Sequence, residues 1–433
     1  MDVTNLILKL ESALTTNPLD QQMLSKAVQL LKLGAVEVVD SFAQIPDPAA
    51  NIGKLYYVSR DGLYYADTLG WVSIYKNIAK VIWAWGTNAS GQLGDGTAIN
   101  KSSPVSVIGG FTDWCQVSAG GSHTIALRDN GTIWAWGNNN NGELGNCTTA
   151  TRSSPVQTCG TNWCQISAGR STNFALKTNG TAWAWGAGTN GTLGDGTISA
   201  KTFPVPVLGG FTDWIQIRAG YSHGVGLRAD GSAWAWGTAA GIGDGTTVNK
   251  SSPVSVVGGF TWCQVAAGTN HTVAIRNDGT AWAWGSNTGG KLGNNSSLAT
   301  SSPVSVVGGF TWCQVSAGQC HSVGIRNNGT VWAWGCGYKG ALGDNSVVAK
   351  SSPVSVIGGF TNWCSISATS ECFVLAIRTA GTAWAWGTNT VGQLGDNTTV
   401  SKSSPVSVIG GFTNWCQISA GRYHSVGIRT IQL

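Results

Sequence analysis

Trp83-Ala84-Trp85-Gly86 is one of seven copies of the same tetrapeptide, the others starting at Trp134, Trp183, Trp234, Trp282, Trp332 and Trp384. Successive copies stand 51, 49, 51, 48, 50 and 52 residues apart, and a period near fifty with that regularity marks one supersecondary unit copied round a closed ring. In Val81-Ile82-Trp83-Ala84-Trp85, strict alternation sets both indoles on one face of a strand and Ile82 and Ala84 on the other. A strand apolar on both faces needs cover on both. A blade held between two neighbouring blades has that cover without helices. Each copy leads into a variable loop, then Leu93-Gly94-Asp95-Gly96, Lys101-Ser102-Ser103-Pro104-Val105, Gly109-Gly110-Phe111, Trp114-Cys115, Ser118-Ala119-Gly120, His123 and a strand ending at Arg128. Asn130-Gly131 returns the chain into Trp134, and Asn-Gly or Asp-Gly recurs there at Asn179, Asp230, Asp278 and Asn328, with Ala380-Gly381 the departure. The pattern predicts a two-residue hairpin turn at positive φ, which makes the flanking strands antiparallel neighbours.

These units resemble the regulator of chromosome condensation repeat family, whose repeats read aromatic-x-Trp-Gly, Gly-x-Leu-Gly, a proline, and Gly-x-x-His before an Ala-Leu strand. The resemblance spans about residues 78–430 and implies a seven-bladed propeller. The phase of the repeats points to closure on its own. The first unit starts at Lys80 with a WAWG strand and lacks the Ala-Gly-x-x-His segment, whereas the last runs from Ser419-Ala420-Gly421 to Arg429 with no WAWG after it. The expected fold is all-β: a seven-bladed β-propeller closed by the N-terminal WAWG strand, preceded by a short helical pair and a small β-meander. Its expected parts are a helical attachment or oligomerisation segment over 1–35, a small β module and linker over 36–77, and the propeller over 78–433.

Composition agrees. With 42% hydrophobic and 10% charged residues in 433, the chain can bury a large core and is not of the disordered class. Of 22 tryptophans, 21 fall at three repeated positions, the third set being Trp114, Trp163, Trp214, Trp262, Trp312, Trp363 and Trp415. Full burial of an indole contributes at most about 4–6 kcal/mol before ordering costs, so periodic tryptophan reads as core. A net charge of +5 is too mild for a nucleic-acid partner, and no membrane insertion is expected.

Six of the eleven cysteines, Cys115, Cys164, Cys263, Cys313, Cys364 and Cys416, follow the third tryptophan, where Ile215 stands in the third unit, and read as small apolar core positions. Copies of one position belong to different blades, too far apart to pair, and no Cys-x-x-Cys clamps zinc, so neither metal nor cofactor is expected. Cys147, Cys159, Cys320, Cys336 and Cys372 are sporadic; Cys147 with Cys159 has the spacing to close a loop, and Cys320 and Cys372 hold equivalent positions in adjacent blades. Free thiols are expected, from the odd total and the lack of a signal peptide. His123, His223, His271, His321 and His424 share one repeat position, with Asn173 and Phe373 close to it in the other units. So repeated a placement argues against catalysis, which needs one histidine with an orienting partner and a nucleophile, and favours a hydrogen bond holding the loop before the next strand. No enzyme and no catalytic residue is expected.

The charges are periodic too. Lys101, Arg152, Lys201, Lys250, Lys350 and Lys402 precede the repeat prolines, and Asp95, Asp195, Asp244, Asp344 and Asp396 stand six residues before each matching lysine, which points to pairing across each loop. A second ring, Arg128, Lys177, Arg228, Arg276, Arg326, Arg378 and Arg429, reads as solvated cations at hairpin mouths. Recognition belongs to the segments where the copies disagree, after each WAWG and after each Ala-Gly, because loops on a rigid scaffold change without cost to the core. Asn139, Arg170, Tyr221, Tyr338, Arg422 and Tyr423 are the candidate binding residues.

Before the repeats, Val3, Leu6, Ile7, Leu10 and Leu14 form a helical stripe, and a second helix opens on Asn17-Pro18 and closes at Gly34. Lys54–Val58, Leu63–Tyr65 and Trp71–Tyr75 read as short strands. The stretch Ile45-Pro46-Asp47-Pro48 through Tyr56-Tyr57-Val58 to Trp71-Val72 resembles a small module of marine bacteriophage tail-fibre and virion proteins. That resemblance implies a phage virion protein made in the host cytoplasm. In it, residues 1–77 hold other virion proteins, the propeller loops meet a host-surface receptor, protein or glycan, and a homo-oligomer is possible. The first resemblance implies instead a protein-binding regulator or inhibitor. Its namesake is a guanine-nucleotide exchange factor for a small GTPase, acting through a wedge inserted in the propeller, for which these near-uniform repeats leave no room. Some secreted bacterial propellers of this repeat type cover an enzyme's active site with one face.

Overall fold

The computed structural model describes residues 78–368 and 371–432, and before them the strands Val36–Val39, Leu55–Val58, Gly62–Asp67 and Gly70–Lys76. The helical pair expected over 1–35 lies outside the described residues. By internal contacts the chain divides into residues 1–79 with 430–433, and residues 80–429.

In the first unit the four strands make one sheet in chain order. The last three form the expected meander. The first is an addition to it, pairing Val36 with Leu55 through Val39 with Val58 in parallel. Parallel neighbours need a connection of a dozen or more residues, and residues 40–54 are long enough for it.

The second unit is built from four-stranded antiparallel blades. In blade 1 the strands Trp114–Ala119, His123–Arg128, Ile133–Gly137 and Arg152–Gln157 lie side by side in that order. Blades 2 to 6 repeat this over 163–206, 214–255, 262–305, 312–355 and 363–407. Blade 7 joins Trp415–Ala420 and His424–Gln432 to Ile78–Gly86 and Lys101–Ser106, so the first WAWG strand closes the ring. The first strands of all seven blades line an axial channel.

Seven hydrophobic clusters fill the seven gaps between blades. One joins Phe373, Leu375, Ala385 and Leu394 of blade 6 to Trp85, Trp415 and Ile418 of blade 7, and its six counterparts repeat the pattern. The second WAWG tryptophan is fully buried in every blade and the third-position tryptophan nearly so. The first is half-buried at the blade's outer side, where Trp134 Nε1 donates to Thr132 Oγ1 (3.2 Å).

The hairpin turn differs from expectation. Gly131 N–H donates to Arg128 O and Arg128 N–H to Thr132 O, so the turn holds three residues, and only the glycine has positive φ (+75°). Asn130 takes ordinary φ and uses its side chain, accepting from the Thr132 amide (3.1 Å) and hydroxyl (2.7 Å). This is the type I turn followed by a left-handed glycine, which explains why Ala380 suffices in blade 6 while Gly381 stays.

Candidate protein-docking face

Because neighbouring strands run antiparallel, the loop after each first strand and the loop after each WAWG emerge at the same end of the blade. They are tied together there: Asn138 N–H donates to Ser122 O and Thr87 N–H to Tyr423 O, 2.8 Å each. The Ala-Gly turns of six blades, with Ala368 of blade 6, encircle the channel mouth. Of the six candidate binding residues, Arg170, Tyr221 and Arg422 line that mouth. The Arg170 guanidinium stacks over the Tyr221 ring at 4.4 Å from its centroid, across the gap between blades 2 and 3. Arg422 Nε donates to Glu371 Oε1 (2.7 Å), and its guanidinium lies 5.0 Å from the Tyr423 ring centroid. This bond holds the Arg422 pKa above its ordinary value, while burial raises the Tyr423 phenol. Tyr338 stands exposed in its own loop with Lys339 5.4 Å from its ring centroid. Deeper in, Arg218 is the guanidinium among the channel-lining side chains, and burial pushes it down to about 10.

Asn139 does not belong to this set. It is fully buried, accepts from Leu144 N–H (2.9 Å) and donates to Thr148 O and Ala150 O. Asn88, Asn287 and Asn389 do the same in their blades, so this asparagine is a staple of the loop. Four of the five expected lysine–aspartate pairs flanking that loop form, Lys101 with Asp95 (3.9 Å), Lys201 with Asp195 (3.5 Å), Lys250 with Asp244 (3.3 Å) and Lys402 with Asp396 (3.6 Å). Beyond it each blade but one exposes a large aliphatic side chain: Ile99, Ile198, Val248, Leu298, Val348 and Val400.

The histidines bridge blades as well as sitting beside their loops. His123 Nε2 meets Asn173 Oδ1 (2.7 Å), His223 Nε2 meets Thr272 Oγ1 (3.0 Å), His271 Nε2 meets Ser322 Oγ (2.9 Å) and His424 Nε2 meets Thr124 Oγ1 (3.0 Å). The Thr and Ser hydroxyls each spend their one proton on a backbone carbonyl of the preceding blade, Gly241 O, Lys291 O and Gln92 O. They therefore accept from the imidazole, which fixes the Nε2–H tautomer. Asn173, expected near the histidine position, is thus the partner one residue further on, and Thr172, opposite Gly186, holds the position itself. Most of the same carbonyls receive the buried indoles: Trp136 Nε1 donates to Gln92 O (2.9 Å) and Trp284 Nε1 to Gly241 O (3.0 Å). Burial disfavours the charged imidazoles, pushing His223 down to about 4 and His424 to about 3, and His123 and His271 below their ordinary value.

Inside the channel wall, Gln116 Oε1 accepts from Ile166 N–H (2.9 Å) and Ser118 Oγ from Ala168 N–H (2.9 Å), staples repeated between other blades. Sequence reasoning missed these, although the recurring Gln-x-Ser before Ala-Gly was their signal.

Two expectations need correction. The six cysteines after the third tryptophan are exposed, not core. Each sits in a β-bulge, since the register shifts between Trp114 and Gln116 and at every equivalent place, and the extra residue turns its side chain outward. The second basic ring is not simply solvated. Arg128, Arg228, Arg276, Arg326, Arg378 and Arg429 stack on Phe111, Phe211, Phe260, Phe310, Phe360 and Phe412 at 3.3–4.6 Å from the ring centroids, and Lys177 uses Trp183 (4.2 Å). Cys147 and Cys159 are free thiols with Sγ atoms 3.0 Å apart.

A ring of seven repeated blades with variable loops at one end defines a β-propeller that presents a face. The family profile described as Regulator of chromosome condensation (RCC1) repeat matches residues 81–127, 130–176, 179–227, 230–275, 278–325, 328–374 and 380–428. The chain belongs to that repeat family. Among curated relatives, the Ultraviolet-B receptor UVR8 of Arabidopsis thaliana is 38% identical over 77 residues, 17% of each chain. The zebrafish (Danio rerio) Protein RCC2 homolog is 41% identical over 66 residues, 15% of this chain and 13% of its own. The matches thus span less than a fifth of those relatives. Among solved structures, human WBSCR16 superimposes with a TM-score of 0.73 at 19% identity, covering 81% of this chain and 99% of that one. Yeast RCC1 (Prp20), solved with Kap60, gives 0.72 at 20% identity over 82% and 90%. At such identities the likeness concerns the fold. No helix among the described residues is long and apolar enough to cross a membrane.

Proposed function

We propose that this protein is a non-enzymatic protein-binding propeller, whose partner docks on the face carrying Arg170, Tyr221, Tyr338, Arg422 and Tyr423. The observation that carries this reading is the division of labour between repeated and unrepeated residues. Most histidines, the buried tryptophans and the inner-strand Gln and Ser side chains are committed to joining blades, while the aromatic and cationic residues that break the pattern gather at one end. Half-buried tyrosines beside arginine and an exposed tyrosine beside lysine, with exposed aliphatic side chains at the same end, match the composition of protein interfaces. A related propeller was solved bound to Kap60, and another report on Prp20p concerns its binding to Gsp1p and histones, which fits a protein partner.

Photocrosslinking residues placed at Tyr221, Tyr338 and Tyr423 are expected to capture one common partner, and residues placed at Cys263 and Cys416 on the opposite end are not. Equal capture from both ends refutes the reading. A nucleotide-release assay with small GTPases decides whether that partner is exchanged as a substrate. The resemblance of residues 45–72 to phage modules favours a second reading, in which the same face meets a host-surface receptor from a virion. Particles lacking the protein that adsorb normally would overturn it.

A further inference from the structure

At the gap between blades 5 and 6 the histidine is present but its bridge is not, and three thiols gather there. Val374 of blade 6 stands where blades 1, 2, 4, 5 and 7 offer Thr124, Asn173, Thr272, Ser322 and Ser425, and where blade 3, which follows a blade without the histidine, has Gly224, so His321 of blade 5, fully buried, finds no hydroxyl or amide acceptor across its gap. Trp334 Nε1, in the preceding gap, also lacks one, although Lys291 O, the carbonyl equivalent to those that accept the other buried indoles, accepts from Ser322. Around the His321 ring, Cys320 Sγ, Cys372 Sγ and an imidazole nitrogen lie within 4.8 Å of one another. Cys336, whose N–H donates to Cys320 O (2.7 Å), places its thiol against Cys320. The positions of Cys320 and Cys372 are held elsewhere by Ser122, Ser171, Ser222, Asn270 and Tyr423. The thiols are therefore no by-product of the repeat. Blade 6 also carries one more residue than the others between Ala368 and Phe373.

We propose that Cys320, His321, Cys372 and Cys336 bind a soft divalent metal ion of the zinc class, joining blades 5 and 6 where the histidine bridge is missing. A tetrahedral Cys3His site has metal–sulfur bonds near 2.3 Å and a metal–nitrogen bond near 2.0 Å, which set the ligand atoms about 3.5–3.8 Å apart. For Cys320, Cys372 and His321 this asks for a contraction of about 1 Å from the observed upper spacing of 4.8 Å, and Cys336, which lies outside that group of three, completes the set by turning its thiol toward it. Binding forms three metal–sulfur bonds and one metal–nitrogen bond and releases up to three thiol protons to solvent, the imidazole binding neutral through a lone pair. Three thiolates around a dication leave one negative charge. Lys291, nearly buried with its ammonium on Gln319 O (3.1 Å), supplies the compensating positive charge.

The test is a Co(II) titration of the full chain, reduced and kept free of oxygen, followed by displacement with Zn(II). The expected result is about one ion per chain, with thiolate-to-cobalt charge-transfer bands, the intense d–d bands of a tetrahedral site, and a metal-dependent rise in unfolding temperature. Cys320→Ser and Cys372→Ser are expected to abolish the bands, Cys336→Ser to weaken binding, and Cys115→Ser and Cys416→Ser at the far end to change nothing. A wild-type chain with every thiol titratable and no cobalt spectrum overturns the proposal, whether or not the variants fold. So does a Cys320–Cys372 disulfide in the intact mass of freshly isolated protein, or bands that survive loss of both cysteines.

Discussion

Acid should loosen this propeller well before its carboxylates protonate, because its blades are joined through neutral imidazoles. His223 and His424 are almost wholly buried, each donates Nε2–H to a threonine hydroxyl, and each has Nδ1 without a partner. A proton added at Nδ1 would be a buried charge facing no anion. Burial accordingly depresses their folded pKa values, to about 4 for His223 and about 3 for His424. An unfolded histidine titrates near 6.5, so below that pH the unfolded chain gains protons that the folded chain refuses. Stability contributed by a depressed histidine is therefore complete above about pH 6.5 and is lost as pH falls toward the folded value. Each pH unit in that window removes about 1.4 kcal/mol per histidine. At pH 5 the loss is about 2 kcal/mol for each and about 4 kcal/mol for the pair. The assay is denaturant unfolding followed by tryptophan fluorescence from pH 7.5 to 5, on the wild-type chain and on the His223→Gln/His424→Gln double variant. The double variant should start less stable and lose about 4 kcal/mol less over that range. If its pH slope equals that of the wild type, the imidazoles are not what acid acts on, and the bridging account is wrong.

Three further outcomes follow from the packing. Trp185→Ala removes a fully buried indole whose Nε1 donates to Glu143 O (3.0 Å), and should cost about 3–5 kcal/mol by denaturant midpoint, whereas Trp183→Ala, half-buried, should cost clearly less. Gly94→Ala places a methyl 2.7 Å from Trp136 Nε1 at φ +68°, so strain and clash together should exceed about 2 kcal/mol in the same measurement. Lys201→Met, which breaks the pair with Asp195 (3.5 Å) at the loop surface, should change stability by less than about 1 kcal/mol, with an effect that shrinks as salt is added.

The ring, its count and its closure were all legible in the sequence, because a period near fifty with residues apolar on both faces admits few other solutions. The Lys–Asp loop pairs were legible for a similar reason, since where aspartate is missing at Asn294 the lysine is replaced by Thr300. The misreadings share one cause. Composition told that Cys115 and Ile215 exchange, but not that a bulge after Trp114 swings the position outward; an exposed site accepts either residue as readily as a core site does. Asn139 was taken for a variable surface residue because the residues around it vary, while its own side chain is held by the backbone of the loop it closes. The histidine partners were hidden because three lie 49–51 residues away in the next copy and the fourth, Thr124 for His424, lies 300 residues back across the ring closure, and because Thr, Ser and Asn look unlike in sequence and act alike as acceptors.

In a repeat array the exceptions locate the pressure that the repeats do not explain. A blade can lose its histidine cheaply only if something else holds the gap. Blade 2 puts Thr172 there, whose hydroxyl is satisfied within the blade at Ala187 O (2.9 Å), while Phe174 packs edge-on against Trp236 of blade 3 across the gap (5.3 Å between centroids). Blade 6 puts Phe373 there, which is fully buried and joins the cluster around Trp85 and Trp415, so apolar area offsets the lost bond. The gap between blades 5 and 6 follows neither course. Its histidine is kept and its acceptor is gone, so an unsatisfied imidazole remains at a cost of about 1–3 kcal/mol. A core under no other demand would sooner lose His321 than keep it with three thiols close by. That retention separates this gap from ordinary drift, and it lies at the same end of the ring as the loops that present Arg422 and Tyr338.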